Sequence, residues 1–95
     1  MRIFKVKAFA RWAKKERIAD KVLRETVAEM QKGLIDANLG SGVFKKRVAL
    51  SGRGKRGGAR TIVAFKSDSR TFFLFGFLKS EMDNIDKKEL KALKA

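Results

Sequence analysis

Four glycines and four cations share the ten residues Ser51-Gly52-Arg53-Gly54-Lys55-Arg56-Gly57-Gly58-Ala59-Arg60, and a strongly apolar run follows at once. Glycine lets a backbone turn sharply and approach other groups closely. Arginine offers phosphate oxygens a planar fork of donors, and lysine a mobile point charge. Further cations flank the segment at Lys45, Lys46, Arg47 and Lys66, and no acid occurs between Asp36 and Asp68. A surface built only for solubility would intersperse both signs. The chemistry here is anion binding, and a polyanion is the natural occupant. Gly52-Arg53-Gly54-Lys55-Arg56-Gly57 does match G-x-G-x-x-G by spacing. That fingerprint needs a helix after its glycines, whereas a β-branched, aromatic run follows here. A dinucleotide cradle is excluded.

A second option lies in the phenylalanines. Phe73, Phe75 and Phe77 alternate toward Lys79, and aromatic rings on a sheet can stack bases, as in single-strand binders. Core packing is the commoner use of phenylalanine, so Phe77, beside Lys79 at a strand end, is the one ring kept as a contact. Gly76 marks either a close approach or a bulge. Trp12, at helical spacing from Phe9, is a packing residue. Glu81, Asp83 and Asp86 read as helix-start acids, with Asn84 a further cap, rather than as a catalytic pair. The chain has no histidine, the usual general base near neutral pH, and no cysteine, so no thiolate metal site or disulfide framework. No cofactor and no metal are expected.

The elements that must hold these residues follow from the pattern. Arg2 to Val6 alternates as a first strand. Phe9, Trp12 and Ala13 predict a helix from Ala8 to about Glu16. Ala19, Leu23, Val27, Met30 and Leu34 make one apolar stripe on a second helix, with Asp20 capping it or in its first turn and Gly33 as its stop. Asn38 to Gly42 reads as a flexible connection. Val43 to Leu50, Arg60 to Lys66 and Thr71 to Lys79 read as strands, the last two an antiparallel hairpin through Ser67 to Arg70. Phe73, Phe75, Phe77 and Lys79 fall on one face of the last strand; Phe72, Leu74, Gly76 and Leu78 fall on the other. A short helix from Asp86 to about Lys94 docks through Leu90 and Leu93. The order β-α-α-β-β-β-α predicts an α+β domain, an antiparallel sheet packed on a helical hairpin. The opposite sheet face, with Arg47, Arg60 and Lys79, is left for a ligand.

Ninety-five residues allow one domain, 1–95. A net charge of +14 narrows the partners to nucleic acid, an acidic protein or an anionic membrane. The first residues lack the apolar core of a signal peptide and no run is long enough to span a bilayer. A soluble, cytoplasmic protein without a membrane partner is the expectation.

The run Lys46-Arg47-Val48-Ala49, then Gly52 through Val63, then Phe75-Gly76-Phe77-Leu78-Lys79-Ser80-Glu81 and Asp83-Asn84-Ile85, resembles bacterial type II toxins of the RelE/HigB branch of the RelE/ParE superfamily. The element order matches as well, so the resemblance spans the chain. It implies a RelE-like microbial RNase fold and a toxin that cuts messenger RNA on the ribosome, inhibiting translation. The implied reaction is metal-independent, with the substrate 2′-hydroxyl attacking the adjacent phosphate. The implied protein partner is a cognate antitoxin, acidic or of helix-turn-helix type. Carried over by position, the catalytic set is Arg47, Lys55, Arg60 and Lys79. Lys45, Lys46, Arg53, Arg56 and Phe77 are the RNA contacts. Lys55 or Lys79 is the implied general base, since crowded cations disfavour a protonated lysine, and Arg47 and Arg60 would stabilise the phosphorane. The tyrosine that some relatives stack near the scissile bond has no counterpart here, because the chain has no tyrosine. A gyrase-inhibiting toxin of the ParE type and a non-catalytic basic RNA-binding module are the alternatives.

Overall fold

The computed structural model describes residues 2–50, 54–66, 69–82 and 84–94, with side chains outside 54–57. Its elements are β1 (Arg2–Lys5), α1 (Lys7–Lys15), α2 (Asp20–Gln31), β2 (Ala37–Gly40), β3 (Val43–Leu50), β4 (Gly54–Lys66), β5 (Arg70–Leu78) and α3 (Lys87–Lys94). The strands form one sheet in the order β1-β5-β4-β3-β2. Both helices of the α1–α2 hairpin cover one face. The expected α+β architecture is what the chain adopts, with details that differ.

The helices end as their sequences dictate. At the end of α2, Gly33 takes φ 88°, its N–H donates to the Met30 carbonyl, and the Leu34 N–H donates to that of Glu29. This is a Schellman stop. The same motif closes α1, where Ile18 N–H donates to Ala13 and Arg17 N–H to Lys14. There the left-handed position holds Arg17, at φ 59°. Asp20 sits in the first turn of α2 and makes no cap bond. It accepts instead from Lys5 Nζ at 2.8 Å. That hydrogen bond, and then the charge of Lys5, holds its carboxyl below the ordinary 3.8.

The first difference is β2. Residues read as a flexible connection form an edge strand against β3, closed by a two-residue turn in which Ser41 (φ 56°) and Gly42 (φ 74°) both take positive φ. That is the type I′ geometry matched to strand twist. The second is β1, which pairs in parallel with β5, so the sheet is mixed rather than antiparallel throughout. The third is the basic segment. Pairing resumes at Leu50 with Gly54, so β4 begins within the stretch expected to be loop. Backbone ladder bonds need no particular side chain, and β3 supplies their partners.

The last difference is a bulge in β5. Ile62 pairs with Phe75 but Val63 with Phe73, leaving Leu74 as the extra residue. A bulge of this kind resets which face each side chain takes. Phe73 therefore enters the core beneath the helical hairpin with Phe9, Leu23, Val27, Met30, Val48 and Val63. Phe75 and Phe77 join Phe72 and Leu74 on the opposite face, around Val43, Ile62, Ala64 and Ile85. The grouping of Phe73 with Phe75 and Phe77 is thus corrected. Gly76 faces the hairpin, where an added Cβ would overlap the Trp12 ring. Close approach and bulge both occur, two residues apart.

Candidate nucleic-acid interface

The face opposite the hairpin is not bare. Ile85 is buried on it, and Leu90 and Leu93 of α3 pack against the same apolar cluster. The segment from Ile85 through α3 covers the middle of the sheet and leaves cationic positions toward its two ends.

At one end, β3 and β4 pair Arg47 with Arg60, and β4 and β5 pair Arg60 with Phe77. Cross-strand partners share a face, so the two arginines lie side by side on it. Directly opposed like charges are unfavourable unless something negative is near. Part of the answer is Asp36. Its Oδ2 accepts the Arg47 backbone N–H at 2.6 Å, and its Oδ1 lies 3.3 Å from Arg47 Nε. Asp36 is brought there because its own N–H donates to the Lys45 carbonyl as the chain enters β2. The Arg47 side chain stays 45% exposed. Arg60 is 6% exposed; its Nη1 is 3.4 Å from its neighbour's carbonyl, that of Ala59, and it makes a further contact as well. Lys79 follows β5 directly, exposed, with its N–H donating to the Gly58 carbonyl at 3.3 Å. It stands at the head of the β4–β5 ladder, two residues beyond Phe77.

Two expected contacts are placed otherwise. Lys46 is 4% exposed and turns toward the hairpin, where its Nζ meets Glu29 Oε1 of α2 at 2.9 Å. Strand alternation requires it: Lys45 and Arg47 take one face, and Lys46, with Phe44 and Val48, the other. A lysine neutralised between sheet and helix ties those layers together and does not present its charge to RNA. Phe77 is 4% exposed, packed near Ile62 and Ile85 with its centroid 6.0 Å from that of Phe75. A ring so enclosed offers no open face to a base. Lys45, partly buried, lies on the Arg47 face. Arg53 falls outside the described residues, as do the side chains of Lys55 and Arg56.

Across residues 1–95 the chain matches the protein-family model described as RelE toxin of the RelE/RelB toxin–antitoxin system. The chain belongs to the RelE toxin family. Membership fixes the broad role as the toxin of a toxin–antitoxin system and agrees with the observed fold. Within this RelE-family chain, the residue that sequence reading missed is Asp36. Its signal was there, as the last acid before a long acid-free stretch, but reading it required β2. Glu29 was missed for another reason, since pairing with Lys46 depends on how α2 lies over β3. Among the described residues no helix is long and apolar enough to cross a membrane.

Proposed function

We propose that this RelE-family chain is a cytoplasmic endoribonuclease that cuts messenger RNA on the ribosome and so stops translation. The observation that carries the reading is the in-register pair Arg47–Arg60 on the sheet face opposite the hairpin, with Lys79 at the ladder head. In the reaction, the 2′-oxygen bonds to the adjacent phosphorus as its proton passes to a base. The P–O5′ bond breaks, and the leaving oxygen takes a proton from an acid. The products are a 2′,3′-cyclic phosphate and a 5′-hydroxyl. The charge that develops on the phosphorane and the leaving oxygen is negative, so preorganised cations are the groups that lower the barrier. Arg47, exposed and oriented by Asp36, serves the phosphorane, and the largely buried Arg60 beside it adds positive potential from within the sheet. Lys79 and Lys55 are the candidates for proton transfer, and Lys45, Arg53 and Arg56 extend the binding rim. The chain has no histidine, the usual general base near neutral pH, and Lys79 and Lys55 are proposed in its place. Alignment by the ribosome supplies the orientation that a shallow site lacks. A RelB-type antitoxin with acidic segments would neutralise the same face by charge complementarity.

Primer extension on transcripts after induction tests the reading. Wild type should give cuts inside translated frames that vanish when initiation is blocked. Lys79→Ala and Arg60→Ala should each lower the cutting rate by about a hundredfold or more, the usual cost of one electrostatic donor. Circular dichroism checks the fold of the Arg60 variant. Intact messages with trapped gyrase–DNA complexes would overturn the proposal.

A further inference from the structure

At the far end of the sheet a second cationic row crosses three strands. Arg2 of β1 pairs with Arg70 of β5, and Arg70 pairs with Lys66 of β4. Neighbouring strands lie roughly 4.8 Å apart, so the row is dense. The next row inward on the same face is aromatic. Phe4 and Phe72 are register partners whose rings stack at 5.0 Å and 17°. Each ring carries the guanidinium of its own strand, Arg2 at 5.3 Å from the Phe4 centroid and Arg70 at 5.7 Å from that of Phe72. Beside them opens a cavity of about 190 Å³, lined in part by Lys66, Phe72 and Lys94. Arg2 and Lys66 are exposed, and neither is ion-paired among the described residues.

We propose that this row is a second RNA-binding site, taking the phosphodiester backbone of a single strand across Arg2 and Lys66, with Arg70, which makes a further contact of its own, between them and a base entering the cavity against Phe72. Laid over the Phe4 ring, the Arg2 guanidinium keeps edge N–H groups for phosphate, and the ring limits how far it can wander. Alternating cations and aromatic faces suit a single strand better than an acidic peptide, because each nucleotide supplies a planar base as well as a charged phosphate. The inference rests on RNA being the partner of this toxin, but not on where or whether it is cut. From Arg60 to Lys66 along β4 is roughly 20 Å, so only RNA extending well beyond the scissile step reaches both ends.

Fluorescence anisotropy with uncleavable 2′-O-methyl oligoribonucleotides, a trimer and a dodecamer, provides the test. In the variant R2Q/K66Q the dodecamer should bind about tenfold or more weakly, and the slope of log affinity against log salt should fall by about 1.4, roughly 0.7 for each cation on a single strand. The trimer should be unaffected. Phe72→Leu, which keeps the apolar packing, should cost the dodecamer about fivefold or more through lost stacking. Unchanged dodecamer affinity and slope in R2Q/K66Q, with a native circular dichroism spectrum, would overturn the proposal. So would equal competition by a polyglutamate peptide of matched charge. Loss of binding by R2Q/K66Q to ribosomes without message assigns the row to ribosomal RNA, and loss only on message-programmed ribosomes assigns it to the transcript. If wild type cuts no RNA yet the row-dependent binding is seen, the nuclease reading falls and this one stands.

Discussion

A single missing side chain lets two layers meet at Gly76. The Trp12 ring occupies the space where any Cβ would project, so Gly76→Ala must push the indole, and α1 with it, off the sheet. Overpacking of this kind costs about 1–3 kcal/mol. Urea denaturation should show that loss, and Trp12→Leu in the same chain should recover part of it, since the two residues share one contact. A gentler case is Asp20. Its carboxyl is held low by Lys5, so the pair stabilises the fold above the unfolded carboxyl pKa and stops doing so as pH falls through the folded one. Asp20→Asn should therefore be the less stable chain at neutral pH, and the difference should close below about pH 4. Unfolding midpoints at neutral pH and in the acid limb check this.

Among the elements, the two helix stops share a geometry and differ in the residue that adopts it. Gly33 takes the left-handed position without strain, whereas Arg17 meets the Cβ penalty, about 1 kcal/mol. Arg17→Gly should raise stability by an amount of that order, measured as a higher denaturation midpoint at unchanged slope. Both helices and strands β3 and β5 were legible in the sequence because periodicity and turn residues agree there. Strand β2 was not: its four residues include Asn38 and Gly40, types depleted in strands, and only pairing with β3 makes them extended. The bulge at Leu74 was equally hidden, because reading alternation along β5 assumes an unbroken period of two. Of the site, the placing of Arg47 and Arg60 on one sheet face was legible, but their direct pairing was not, because β4 begins within the stretch read as loop. Nor was the burial of Lys46 and Phe77, since it depends on which layers cover each face.

For the whole molecule, the two proposed binding surfaces lie on one side of one sheet, and the sheet is stitched from segments distant in sequence. Strand β1 is made well before its neighbour β5, with both hairpin helices and strands β2, β3 and β4 between them. Phe73, at the centre of the hairpin core, and the strand leading to Lys79 arrive with it. Contacts so distant in sequence form late and slowly. A nascent chain that has emerged only through Lys66 should lack its core and be readily cut by protease, while one emerged through Ser80 should resist; arrested chains of the two lengths would show it. On the proposed reading, a ribosome making this chain is shielded from its product until β5 has emerged. The toxin's delay is written into its strand order.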